Sequence, residues 1–193
     1  MGTFENIKNI DMLLNEEELL CQMAEECVEL VMAMEDLSSR GIVYGKSIVN
    51  GKETTYLDEV EEEIADILLV SSALLEKMKI DELLLTFFAK ITFHAEESFQ
   101  KIGIDRQRFE VKKTTMDVAK LALKLRRAMT KKNPTPISEA AATTDLIYWM
   151  AVQNGMMHGM INHFGFKRTY DIQLEKSERW IGRLQGSDVN EQE

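Results

Sequence analysis

Two clusters of acidic side chains have the types and spacing to do chemistry: Glu25-Glu26-Cys27-Val28-Glu29 and Glu62-Glu63-Ile64-Ala65-Asp66. At about 100° per residue, Glu25, Glu26 and Glu29 fall on one broad helical face, and Glu62, Glu63 and Asp66 do so on a second helix. Ligand sets made only of oxygen suit a hard divalent cation, Mg²⁺ or Mn²⁺. A helical di-iron centre would need Glu-x-x-His. The residues three before His94, His158 and His163 are Ile91, Gly155 and Met160, which argues against iron.

The ordinary reading of such acids is the solvated face of two amphipathic helices. Two features weigh against it. A solvated face mixes signs, yet Asn9 to Ser39 contains no Lys or Arg. Like charges one turn apart cost about 0.2–0.5 kcal/mol per pair, so this face calls for an external cation. The acid stripes also continue into apolar residues, Met32 and Ala33 after Glu29, and Leu69, Val70 and Ala73 after Asp66. The carboxylates therefore point into a bundle, where they must be protonated, paired or bound to metal.

The elements that position them follow from caps and breakers. Asn15 is a candidate N-cap for a helix from Glu16 to about Ser39. Residues 40–56 break the pattern, and the β-branched residues around Asn50-Gly51 predict a loop or a short β-hairpin over about 47–55. Gly45-Lys46-Ser47 is not a phosphate loop, because Arg40 stands where the Walker pattern needs glycine. A second helix spans about 57–78. A third starts from the N-cap Asp81, carries Lys90 and His94, and ends near Gly103. Asn133-Pro134-Thr135-Pro136 is a turn, after which Ser138 caps a helix to about Met157. The run from Gly155 to Phe166 is punctuated by glycine and resists assignment. A last helix starts at Asp171 and ends near Gly186. The fold predicted is an all-α bundle of about six helices.

Glu-Glu-x-x-Glu at Glu25–Glu29, followed by Glu-x-x-Asp at Glu63–Asp66, resembles the signature of the all-α nucleoside triphosphate pyrophosphatases, the MazG-like enzymes and the dimeric dUTPases. The flanks CQMAEECVELVMAM and VEEEIADILLV are similar to that family as well, although the gap between the two motifs is longer than is usual there. The resemblance implies Mg²⁺-dependent hydrolysis of a nucleoside triphosphate to monophosphate and pyrophosphate. Its implied metal ligands are Glu26, Glu29, Glu63 and Asp66, with Mn²⁺ as an alternative ion. Glu25 or Glu62 would orient or deprotonate the attacking water. Lys176 and Arg179, on a stretch that resembles the family's basic late helix, are the implied phosphate contacts; Gln22, four before Glu26 on the same face, and Lys90 are further candidate contacts to the nucleotide, and a homodimer is a candidate assembly. A non-catalytic helical interaction protein with a structural cation site is the rival reading.

Residues 119–129 align under 24–34, and 141–152 under 62–73, so the chain reads as one domain, 1–193, of two repeats. Repeat one covers about 16–103. Repeat two covers about 109–186 and is degenerate, with Lys120, Leu121 and Lys124 opposite Glu25, Glu26 and Glu29 and only Asp145 retained, opposite Asp66. Ten Lys and Arg between Arg106 and Lys132 face two readings, counter-charge for the acidic half or triphosphate binding. The net charge of −10 disfavours nucleic acid and membrane surfaces as partners. Cys21 and Cys27 share a helix on different sides and cannot pair. That fits a reducing cytoplasm, as does an N-terminus without a basic, apolar leader.

Overall fold

The computed structural model describes residues 3–40, 46–49, 52–130 and 136–186. Along the chain it forms α1 (Thr3–Leu13), α2 (Glu16–Arg40), β1 (Lys46–Val49), β2 (Lys52–Thr55), α3 (Tyr56–Lys77), α4 (Glu82–Gln100), α5 (Ile104–Met129), α6 (Pro136–Phe164) and α7 (Thr169–Leu184). The architecture is all-α, with seven helices among the described residues where about six were expected, the additional one being α1. No helix among the described residues is long and apolar enough to cross a membrane.

α3 is the central helix. Ile64 to Ser71 are buried without a break, so it is covered on all sides, by α2, α1, α7 and more lightly by α6. α2 packs against α3 on one side and α5 on the other, α5 against α6, and α6 against α4. The two sequence segments that aligned with each other thus form two packed pairs, α2–α3 and α5–α6, joined through α2 and α5. Leu30, Met23, Ile64, Ile67, Leu125, Leu146 and Met150 fill the space between them with no exposure above 2 %.

Local chemistry sets the helix starts. Asn15 and Glu18 cap α2 reciprocally, the Glu18 amide donating to Asn15 Oδ1 at 2.9 Å and the Asn15 amide to Glu18 Oε2 at 2.7 Å. The strands pair antiparallel with Lys46 opposite Thr55 and Val49 opposite Lys52, a register that leaves Asn50 and Gly51 as a two-residue connection outside the described residues. The hairpin runs straight into α3 through a capping box, in which Asp58 N–H donates to Thr55 Oγ1 at 3.1 Å and Thr55 N–H to Asp58 Oδ2 at 2.8 Å. Asp81 caps α4 by accepting from the Leu84 amide at 2.8 Å.

α6 departs most from the sequence reading. It starts at Pro136, not at a Ser138 cap, since proline lacks the N–H that the first turn leaves unpaired. It then continues through the glycine-rich run to Phe164. Gly155 and Gly159 do not break it; they let α4 approach. A Cβ at Gly155 would lie 2.7 Å from Ala95 Cβ, and one at Gly159 would lie 2.5 Å from the Phe99 ring. α7 starts at Thr169, slightly before the expected Asp171.

Candidate metal centre

Three helices each present one stripe to a cavity of about 230 Å³. Gln22, Glu26 and Glu29 come from α2 at i, i+4 and i+7, and Glu63 and Asp66 from α3 at i and i+3. Lys176, Arg179, Trp180 and Arg183 come from α7 at i, i+3, i+4 and i+7. Carboxylate oxygens of Glu26, Glu29 and Glu63 lie within 4.8 Å of one another, close enough for a single divalent ion to draw on all three.

Burial sets Glu26 and Asp66 apart from a solvated face, whereas Glu63 is half-buried and Glu29 exposed. Glu26 is 4 % exposed and Asp66 5 %. Gln22 Nε2 donates to Glu26 Oε1, but Glu26 Oε2 and Glu63 Oε2 are buried with no hydrogen-bond partner among the described residues. Leaving a buried carboxylate oxygen unpaired is strongly unfavourable. Without a cation, burial and then the charge of Asp66 push Glu26 up to about 7 and Glu63 to about 8. Burial raises Asp66 also, and the Lys176 ammonium, which ion-pairs with its Oδ2, opposes that rise. The donor set is all oxygen and concave, two of its oxygens lack a partner among the described residues, and it fits Mg²⁺ or Mn²⁺.

α7 is held at the cavity by α3 itself. No side chain of α7 caps its N-terminus. Glu61, buried on α3, does so instead. Its Oε1 accepts from the Arg168 amide at 2.7 Å and from the Thr169 hydroxyl at 3.1 Å. Asn6 Nδ2 donates to Ser177 Oγ at 2.9 Å and ties the same helix to α1. One helix therefore carries two of the acids and fixes the helix that carries the cations.

The structure brings together seven of the residues expected from the sequence: Gln22, Glu26, Glu29, Glu63, Asp66, Lys176 and Arg179. Three stand apart. Glu25 is exposed on α2, one residue and so about 100° from Glu26. Glu62 is half-buried outside the lining, although its charge reaches Asp66. Lys90 lies exposed on α4, whose main packing partner is α6, and does not line the cavity. Trp180, Arg183 and Glu61 were not anticipated. The i, i+4 and i+7 spacing from Lys176 was the available signal for the first two. The basic stretch of α5 does not line the cavity. Lys112 Nζ meets Glu35 Oε1 of α2 at 2.6 Å, and Arg106 and Lys120 pair with Glu110 and Asp117 on their own helix. No family model, curated protein or solved structure matches this chain.

Proposed function

We propose that this chain is a Mg²⁺-dependent nucleoside triphosphate pyrophosphohydrolase, releasing a nucleoside monophosphate and pyrophosphate. The observation that carries the proposal is the opposition, across one cavity, of buried carboxylates with unpartnered oxygens and a cationic stripe on α7. That arrangement suits a ligand bearing metal and phosphate together. The resemblance at Glu25–Glu29 and Glu63–Asp66 selects attack at the α-phosphorus, since carboxylate-held metal serves attack at either end of the triphosphate.

Glu26, Glu29, Glu63 and Asp66 would hold the cation, which when bound neutralises phosphate oxygens and acidifies a water. Lys176 would pass from Asp66 to a phosphate once the cation satisfies that carboxylate, and Arg179 would steady the leaving pyrophosphate. Half-buried Trp180 offers a flat face for the base, and Gln22 a donor and an acceptor for base or ribose. Of the two residues proposed to take the water proton, Glu62 is the better placed, because it sits beside Asp66 whereas Glu25 faces solvent.

Hydrolysis of a panel of nucleotides in ¹⁸O-labelled water tests the reading. Label in the monophosphate with unlabelled pyrophosphate is the expected result. Orthophosphate plus a diphosphate would place the attack at the γ-phosphorus and overturn it. Metal binding without turnover of any nucleotide would leave the structural-cation reading in its place.

A further inference from the structure

We infer that Lys176 is a tethered competitor for the metal: by holding Asp66 it keeps the affinity for a free divalent ion low, and a ligand that brings metal and phosphate together releases it. This rests on the proposed reading of the cavity as a metal and phosphate centre, and concerns how that centre is regulated.

Asp66 is set apart from the other acids of the cavity. The carboxylate oxygens that lie within 4.8 Å of one another belong to Glu26, Glu29 and Glu63, and Asp66 is not among them. Its Oδ2 accepts instead from Lys176 Nζ, and the two side chains are 7 % and 15 % exposed. Glu26 and Glu63 each keep an oxygen without a partner among the described residues, although Lys176 lines the same cavity. The lysine is thus committed to the one carboxylate outside the triad. Three acids are left to a metal, and the fourth ligand is withheld.

The cost of drawing the pair apart depends on what arrives. A bare divalent ion that takes Asp66 leaves the Lys176 ammonium without its partner where it is mostly shielded from water. Removing one partner of such a pair is strongly unfavourable. A phosphate that takes Lys176 alone leaves Asp66 in the same position. Metal and phosphate delivered as one chelate give a partner to both, the metal to Asp66 and a phosphate oxygen to the ammonium. The two ligands therefore favour each other's binding through Lys176, beyond their direct contact.

α7 stays in place during this exchange. Asn6 Nδ2 donates to the hydroxyl of Ser177, the residue after Lys176, at 2.9 Å, and Glu61 accepts from Arg168 and Thr169 at the start of the helix. The movement belongs to the four-carbon lysine stem, whose compact, rotatable ammonium can change partner without a fixed fork to realign. Arg179 stands one turn along α7 and lines the same cavity, so an anion bound between the two cations draws Lys176 off Asp66.

Titration of the full chain with Mn²⁺ alone, followed by the electron paramagnetic resonance of the free ion, tests the inference without any turnover. Lys176→Met should bind Mn²⁺ at least about fivefold more tightly than wild type, the lower end of ordinary coupling between sites. Arg179→Met removes a charge from the same cavity but no partner of Asp66, and should shift the affinity far less. In the wild-type chain, saturating Mn²⁺ should raise the acylation of Lys176 relative to that of exposed Lys90, read by mass spectrometry. That measurement decides the matter if Lys176→Met fails to fold. Unchanged or weaker Mn²⁺ binding by Lys176→Met, an equal gain from Arg179→Met, or acylation of Lys176 indifferent to Mn²⁺ would each overturn the inference. The expected shifts in a chain that turns over no nucleotide would overturn the proposed hydrolysis and leave the exchange standing.

Discussion

At the scale of single residues, the site is defined by a shortage. Glu26, Glu63 and Asp66 share a cavity in which Lys176 ion-pairs with Asp66, while one oxygen each of Glu26 and Glu63 has no partner among the described residues. This has a signed consequence for stability. Glu26 and Glu63 titrate at about 7 and about 8 in the folded chain, against 4.5 when unfolded. Between those limits the folded state binds more protons than the unfolded one, so metal-free stability falls as pH rises from about 4.5 to about 8. Thermal melts in chelator at stepped pH should show that decline, and Glu63→Gln should weaken it. Millimolar Mg²⁺ or Mn²⁺ should raise the melting temperature most at the alkaline end, by binding the folded state preferentially. Glu29→Gln, which removes one of the three clustered oxygens, should abolish the metal effect. A melting temperature indifferent to both ions at pH 8 would contradict the metal centre.

At the scale of elements, Glu61 has the role that is easiest to overlook. It reads as one more acid in an acidic helix, yet it supplies the cap that α7 lacks. Glu61→Ala should cost about 1–3 kcal/mol, the penalty for orphaning a buried donor. Hydrogen exchange should show α7 losing protection before α3 does; equal loss in both would mean that the residue serves the whole core. The contrast with what was legible is instructive. Asn15 and Asp81 were readable as caps because their partners lie three residues away. Glu61 was not, because its partners are more than a hundred residues distant. Gly155 and Gly159 left their stretch unassigned for a related reason. A glycine in a helix costs about 1 kcal/mol relative to alanine, and only the approach of α4 shows why it stands there. Glu26, Glu29, Glu63 and Asp66 were visible as stripes, since helical periodicity is local, but Glu25 and Glu62, grouped with them, lie outside the cavity lining. Lys90 misled because charge alone says nothing about which helix will face it.

At the scale of the whole molecule, the two packed pairs α2–α3 and α5–α6 give the aligned segments a shared architecture but unequal chemistry. Asp66 is buried in the acidic cavity, whereas Asp145 is exposed and lines a depression beside α4. Asp145→Asn should therefore leave metal-dependent hydrolysis within about tenfold of wild type, or ~1.4 kcal/mol in barrier, while Asp66→Asn should lose far more. Equal losses in steady-state assays would show that both pairs contribute to one site.

The ion pair between Lys176 and Asp66 joins residues 110 positions apart. A ribosome adding about 5–20 residues per second makes the acid cluster several seconds before it makes the cations that face it. During that interval α2 and α3 can pack only with their carboxylates protonated, splayed toward water, or gathered around an ion from the surrounding solution. Of the three helices that line the cavity, α7 is the last to be made. A divalent ion bound at the proposed site would, by the order of synthesis, take part in folding as well as in the proposed chemistry.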